Sequence, residues 1–253
     1  MTHSRALRPL LGTLICVAMS APIHSADLAS GLDAFCGKRL PEAFSILEPL
    51  AENGNSDAQL IMGLRYFYGL DGKRDRHRAR KWYAKAAEQG DAEAQVLLGL
   101  MFAEGDGGKV DFVEAVRWFR KAAEAGYSAG QYNLGLAYQS GQGAPQDAVK
   151  GSEWYQKAAE QGYEWAQTNL GSIDVSAGQT SASKVIGCKW LLLASGKGDG
   201  MATKLLEVQR PLMTEDDLRE AKRLADQFEP TPTAVTQLVS NRCRTHLSEG
   251  SGS

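Results

Sequence analysis

A stretch of 36 residues decides the fold of this chain: YSAGQYNLGLAYQSGQGAPQDAVKGSEWYQKAAEQG, residues 127–162. Its tryptophan, its first glutamine and two of its glycines recur at intervals of 36 residues on both sides. The four columns are Trp82, Trp118, Trp154 and Trp190; Gln59, Gln95, Gln131 and Gln167; Gly63, Gly99, Gly135 and Gly171; and Gly54, Gly90, Gly126, Gly162 and Gly198. Because these independent columns share one register, the chain is built from a repeated unit.

Each unit divides into two helices. In the quoted stretch, Gly130, Leu134 and Tyr138 are spaced i, i+4, i+8, which places them on one face of a first helix. A second apolar stripe, around Trp154, follows an aspartate of the kind that caps helix starts. First helices are predicted to begin near Asn55, Asp91, Tyr127 and Tyr163 and to end at Gly69, Gly105 and Gly141. Second helices are predicted to begin after Asp75, Asp111, Asp147 and Ser183 and to end at the Gly90 column.

The pattern predicts an all-α protein, an α-solenoid of antiparallel helix pairs. Residues 27–54 are predicted to form an N-terminal helix pair, or partial repeat, and residues 55–198 the full repeats. Residues 199–229 are predicted to be C-terminal capping helices that cover the open end of the stack. Within them, Thr214 and Asp217 have nearly the spacing and chemistry of a capping box. Residues 230–253 are predicted to be a tail.

The repeat resembles a known family. The resemblance rests on Ala129, Gln131, Leu134, Gly135, Tyr138, Gly141, Gly143, Asp147, Trp154, Tyr155, Lys157, Ala158, Ala159 and Gly162. Together these residues are similar to the Sel1-like repeat, a relative of the tetratricopeptide repeat, and the similarity extends over residues 41–198. It implies a right-handed superhelix that acts as an adaptor, scaffold or inhibitor. Its cysteine-rich branch has a disulfide in every repeat. These repeats are almost free of cysteine, so the penicillin-binding activity proposed for that branch is not transferred.

The N-terminus has the layout of a secretory signal peptide. Arg5 and Arg8 precede an apolar run over residues 10–19, and small residues follow as far as Ala26. The run is shorter than the roughly 20 residues that span a bilayer. We expect cleavage near Ala26 and a periplasmic product; a cut at residues 20–21 and an uncleaved anchor are the alternatives. Cleavage at Ala26 takes the formal net charge from −2 to −4, because two arginines and no acid are removed.

The composition and motifs favour a binding protein over an enzyme. A net charge of −2 does not favour a nucleic-acid partner. After residue 26 the only histidines are His77 and His246, far apart in the sequence. No metalloprotease motif, nucleophile elbow, phosphate loop or paired-cysteine metal spacing occurs. We therefore expect no catalytic residues, no metal and no cofactor.

Three cysteines remain after cleavage. A disulfide requires α-carbons within about 7 Å, and packed helices lie about 8–10 Å apart, so the stack separates Cys36 from Cys188. Cys188 and Cys243 both belong to the C-terminal end. We predict that they form a disulfide, which leaves Cys36 free or bonded to another chain.

Solenoids of this kind bind partners on the surface that the first helices line. Beside the buried stripe, a second stripe with spacing i, i+4, i+7 carries residue types common at interface centres. The predicted partner-binding residues are Ile61, Arg65, Tyr68, Leu97, Met101, Glu104, Asn133 and Asn169, the first five being the anchor patch. The alternative is that Ile61 and Leu97 pack between repeats.

A basic tract, KRDRHRARK, spans residues 73–81. Its cations are Lys73, Arg74, Arg76, Arg78, Arg80 and Lys81. Positive charge at a helix start is disfavoured by the helix dipole. The tract is therefore either a solvated loop or a binding site for an acidic partner or anionic lipid headgroups.

Two functions follow from the resemblance, and both require a protein partner. The first is a periplasmic inhibitor, such as an immunity protein that neutralises a secreted toxic effector, for example a lipase. The second is an adaptor or scaffold in cell-envelope or exopolysaccharide assembly. We favour the inhibitor.

Overall fold

The computed structural model describes residues 25–72, 74–177, 180–234 and Gln237. Within them the chain forms twelve α-helices, one turn of 3-10 helix (Arg210–Leu212) and no strand. The helices are α1 (Ser25–Cys36), α2 (Leu40–Glu52), α3 (Ser56–Tyr68), α4 (Arg76–Glu88), α5 (Ala92–Glu104), α6 (Phe112–Glu124), α7 (Ser128–Ser140), α8 (Ala148–Glu160), α9 (Glu164–Ala177), α10 (Ser181–Gly196), α11 (Gly200–Gln209) and α12 (Glu215–Asp226). From α1 to α11 each helix contacts the next in sequence, and α12 packs on α10, so the predicted solenoid of helix pairs is confirmed. The predicted signal segment lies almost entirely outside the described residues.

The predicted caps form at most helix starts. The carboxylates of Asp75, Asp111 and Asp147 accept hydrogen bonds from backbone N–H groups three residues later, at 2.9, 2.9 and 3.0 Å. The predicted start after Ser183 is wrong. The helix begins at Ser181, because the hydroxyl of Thr180 caps it by accepting from the Ser183 N–H. The first helices end at the predicted glycines, whose φ angles are positive.

Buried glutamines join each unit to the next. Each side chain of the glutamine column donates its Nε2 hydrogen to the backbone carbonyl eight residues earlier, in the last turn of the preceding second helix. The bonds are Gln59 to Ala51, 3.1 Å; Gln95 to Ala87, 3.1 Å; Gln131 to Ala123, 3.4 Å; and Gln167 to Ala159, 3.1 Å. Each of these carbonyls also accepts from the backbone N–H of the glycine three residues later. The glutamine therefore adds a second hydrogen bond at the helix end, and this bond sets the junction between units.

A second glutamine completes some of these junctions. Gln89 donates to Oε1 of Gln59 at 2.7 Å, and Gln161 donates to Oε1 of Gln131 at 2.8 Å. The corresponding residue between them is Ala125, so the buried Oε1 of Gln95 has no hydrogen-bond partner among the described residues.

Small and aromatic residues fill the space between helices. The paired alanines of the second helices are buried, and so are Trp118 and Trp190. Trp82 and Trp154 are half-buried and pack against the neighbouring core. The predicted packing role of the tryptophan column is confirmed.

The C-terminal cap is also confirmed. Thr214 and Asp217 form a capping box at the start of α12, and Ala221 is buried against the core of α10. Beyond α12 the chain turns back along the stack. The Thr231 N–H donates to the Glu160 carbonyl at 2.9 Å, and the Thr233 hydroxyl donates to the Gly126 carbonyl at 2.8 Å.

The predicted Cys188–Cys243 disulfide is wrong. Cys188 has a free, buried thiol, and its Sγ lies 3.0 Å from Sδ of Met213, so the cap occupies the space that the tail was expected to fill. Burial raises the pKa of this thiol. Cys36 is the disulfide-bonded cysteine, and its partner lies outside the described residues, as does Cys243.

No helix in the described part of the chain combines the length and the apolar character needed to cross a bilayer.

Gly143 tests how adjacent units fit together. It has a φ of +76°, and a β-carbon there would overlap the Phe112 carbonyl of the preceding unit. We expect Gly143→Ala to destabilise the fold by about 2–3 kcal/mol, because both the backbone conformation and the neighbouring backbone oppose the methyl group. Thermal or urea denaturation measures the change. Gly196→Ala is the control, since nothing lies within 4 Å of a β-carbon at that position; an equal loss in both variants would contradict the account.

Ala125 tests the glutamine junction. Ala125→Gln is expected to raise the free energy of unfolding by about 0.5–1.5 kcal/mol, since its amide reaches the unpaired Oε1 of Gln95 as Gln89 reaches Gln59. Ala125→Glu, which has no hydrogen to donate, is expected to give no gain. Equal stabilisation by both substitutions would indicate helix propensity instead of the hydrogen bond.

Candidate functional site

The first helices of the units, α3, α5, α7, α9 and α11, form the inner layer of the solenoid. Between helices two apart in sequence, α5 contacts α7 and α9 contacts α11 within this layer, and α10 contacts α12 on the opposite side. The second helices, α4, α6, α8 and α10, form the outer layer.

Much of the predicted anchor patch is inaccessible. Ile61 is 4% exposed and Met101 is 1% exposed, and each belongs to a core cluster. Leu97 is half-buried and packs against the second of these cores. The partner-binding prediction is therefore wrong for Ile61 and Met101. The alternative, packing between repeats, describes Ile61.

Arg65 is occupied within the protein. Its guanidinium pairs with Glu48 at 3.0 Å and with Asp71 at 2.6 Å, and it lies 4.5 Å from the ring centre of Phe44. Burial acts to lower the pKa of Arg65, but the hydrogen bonds to the two carboxylates outweigh it and raise the pKa. The patch residue that stays exposed is Tyr68.

The other three predicted contact residues differ in exposure. Glu104 is exposed, whereas Asn133 and Asn169 are half-buried. None of the three has been tested as a contact residue, so they remain predictions.

The basic tract is also used mainly within the protein. Arg76 pairs with Asp106 of the next unit and lies 3.9 Å from the ring centre of Phe67. Arg80 lies 3.8 Å from the ring centre of Phe102.

The remaining arginines of the tract bind locally. Arg78 pairs with Asp75 at 3.2 Å, and Arg74 donates to the Tyr68 carbonyl at 3.3 Å. Lys81 is exposed, and Lys73 lies outside the described residues. The structure thus gives four of the six cations internal contacts.

A different apolar surface is exposed on the inner layer. Its five side chains are between 44% and 63% exposed, and they lie on α7, α9 and α11 and on the 3-10 turn that follows. We call them the inner strip: Leu136, Trp165, Met201, Val208 and Leu212. In steps of 36 residues, Trp165 and Met201 correspond to Asp57, Leu136 and Val208 correspond to Leu64, and Leu212 corresponds to Tyr68. Residues at the same repeat position face the same side of the inner layer. The exposed apolar surface is therefore in the C-terminal half of the inner layer.

A cavity opens beside Leu136 between α5, α6 and α7. Phe112, Val116 and Asn133 also line it. Two small residues in its wall leave room for it: Ala103 stands at the repeat position of Phe67, and Ala137 at that of Met101, each one unit earlier. The cavity places the predicted contact residue Asn133 next to the inner strip.

Trp165 is part of an aromatic cluster with Tyr132 and Tyr163. The ring centres are 5.9 Å apart between Tyr132 and Trp165, 5.9 Å between Tyr163 and Trp165, and 5.3 Å between the two tyrosines. Tyr155 lies beneath, 5.6 Å from Tyr132. Burial raises the pKa of Tyr163 to about 12 and that of Tyr132 as well, although a hydrogen bond with Asn169 opposes the latter rise. The cluster is thus neutral at physiological pH.

The sequence contained a signal for the inner strip. When the period of 36 residues is continued into residues 201–212, which are predicted as part of the cap, it reaches Met201, Val208 and Leu212. The predicted stripe shares the Tyr68 position with the inner strip, but it uses the Ile61 and Arg65 positions where the strip uses those of Asp57 and Leu64. Burial depends on the packing angle between helices, which the period does not specify.

Among the described residues, no group of three or more histidine, cysteine or acidic side chains is arranged to hold a metal ion.

Comparisons with known proteins agree with this architecture. The Sel1 repeat model matches residues 56–91, 92–127 and 128–163. The structure is similar to that of a Sel1 repeat protein from Oxalobacter formigenes, with 24% sequence identity and a TM-score of 0.66, over 85% of this chain and 98% of that one.

A second solved structure is similar over part of its length. It is a protective antigen of uropathogenic Escherichia coli strains with an SLR fold, with 26% identity and a TM-score of 0.51, over 79% of this chain. The matched part spans 51% of the antigen. No protein of curated function matches the sequence. Residues 56–163 are thus three Sel1 repeats.

Proposed function

We propose that this Sel1 repeat protein binds a partner protein through the inner strip, and that it acts in the periplasm as an inhibitor of a secreted effector enzyme. Sel1 repeat proteins in general bind other proteins. The observation that carries the proposal is the exposed apolar surface on α7, α9 and α11. The periplasmic location rests on the predicted signal segment.

The chemistry of the inner strip is that of an interface centre. Aromatic residues and methionine are enriched there, and charged residues are depleted. Helix α7, at one end of the strip, has no charged side chain over its whole length. The cavity beside Leu136 offers a place for an apolar anchor of the partner.

A rigid surface suits an inhibitor. The glutamine junctions hold α7 and α9 to the helices before them. Helix α11, which has Thr203 at the glutamine position, is held by packing on α9 and α10, so the strip is formed before the partner arrives. Preorganisation lowers the entropic cost of binding and favours a tight complex. One strip per chain implies a one-to-one complex.

One observation favours the alternative, an adaptor in envelope assembly. A second set of exposed apolar side chains lies away from the inner layer. Val110 is in the turn before α6, Val113 is in the first turn of α6, and Val149 is in the first turn of α8. An adaptor requires two binding surfaces, and these valines would provide the second.

Capture of the partner separates the two functions. The mature chain is used to isolate partners from periplasmic extract, and mass spectrometry identifies them. The inhibitor proposal predicts one enzyme, bound one-to-one, whose activity is abolished. Several assembly components with no inhibited activity would support the adaptor instead.

Neutral substitutions test the surface. Leu136→Gln and Val208→Gln are each expected to weaken partner binding about tenfold or more, because each removes an exposed apolar side chain of the inner strip from the interface. The measurement is titration calorimetry with the captured partner. Val149→Gln, at a residue that is 71% exposed on the outer layer, is the matched control and is expected to bind normally. Loss of binding in Val149→Gln alone would place the interface on the other surface.

A further inference from the structure

Trp165 differs from every other tryptophan of the chain. The other four of the five each have a lysine ammonium over the indole, at 4.0 or 4.1 Å from the ring centre. The pairs are Lys85 with Trp82, Lys121 with Trp118, Lys157 with Trp154, and Lys189 with Trp190. Among the described residues, no lysine or arginine lies over Trp165, although it is 54% exposed. The one tryptophan that is more than half open to solvent is thus the one without a cation.

The neighbouring rings leave Trp165 open on its solvent side. Tyr163 contacts it edge-on, with an angle of 78° between the ring planes, and Tyr132 is tilted by 57°. The three rings form a corner rather than a stack. Their π systems present negative potential to a cation that enters this corner.

The charges around the corner are mainly negative. Glu164 is adjacent to Trp165 in the first turn of α9, and Asp199 caps α11. Burial acts to raise the pKa of Asp199, but hydrogen bonds from Thr168 and the backbone outweigh burial and lower the pKa below its usual value. This carboxylate is therefore ionised at neutral pH. The neighbouring cation is Lys197, which interacts with Glu164 and donates to the Gly162 carbonyl.

We infer that the corner of Tyr132, Tyr163 and Trp165 binds an arginine side chain of the partner protein. A guanidinium is planar and stacks on aromatic rings, and it forms paired hydrogen bonds with a carboxylate such as Glu164. The apolar residues beside that arginine contact Met201 and Val208 on the next inner helix. The partner segment is therefore basic and apolar, which complements an acidic chain. This inference rests on the proposed binding surface.

A displayed library of short random peptides provides the probe. Peptides are selected on the mature chain and sequenced, and the tightest one is synthesised with arginine and with citrulline, its neutral analogue of the same shape. Fluorescence anisotropy then gives the Kd of each peptide for the wild type and for Trp165→Ala. We expect selected peptides to contain arginine, and citrulline to weaken wild-type binding about tenfold.

The double-mutant cycle is the decisive comparison. Trp165→Ala is expected to weaken the arginine peptide about tenfold, and citrulline is expected to cause little further loss in that variant, because both changes remove one interaction. Ile186→Ala is the control, since Ile186 is 41% exposed and lies on α10 in the outer layer. It is expected to bind both peptides as the wild type does.

Other outcomes would overturn the inference and identify what failed. If replacing arginine by citrulline raises the Kd by the same factor in the wild type and in Trp165→Ala, the arginine does not bind at this corner. If Leu136→Gln and Val208→Gln abolish peptide binding while Trp165→Ala does not, the inner strip stands and the arginine site fails. If none of these variants affects binding, or if no peptide is selected, both proposals fail.

Discussion

The hydrogen bond from each buried glutamine to the carbonyl eight residues earlier is the constraint on which the solenoid depends. It links the last turn of one second helix to the first turn of the next first helix, as Gln131 does with Ala123. A buried amide without a partner is costly, so each junction has one favourable geometry. Repetition of that geometry fixes where the inner layer lies and which side chains reach its surface.

Function is expected where the units differ from one another. The cavity beside Leu136 has room because a large residue is replaced by alanine at two repeat positions, Ala103 and Ala137. The inner strip exists because Trp165 and Met201 stand where Asp57 stands in an earlier unit. Such replacements leave the glutamine junctions unchanged. A regular scaffold therefore presents one irregular surface, which is the arrangement that a specific binding protein requires.

The fold was largely predictable from the sequence, and the site was not. Period, caps and capping box are local, so Asp111 and Thr214 could be interpreted directly. The burial of Ile61 and Met101 depends on how adjacent helices cross, and the contact of Cys188 with Met213 depends on where the cap docks. These are tertiary properties that a one-dimensional repeat does not contain. The period of 36 residues, continued into the cap, does indicate Met201 and Val208.

Hydroxyl-radical footprinting of the complex with its captured partner tests the central claim most directly, because it reports the accessibility of individual side chains. The account predicts that Trp165 and Met201, both reactive and exposed in the free chain, become protected on binding, while Tyr68 keeps its reactivity. Protection of Tyr68 with unchanged oxidation of Trp165 and Met201 would show that the partner binds the N-terminal half, and would contradict the account.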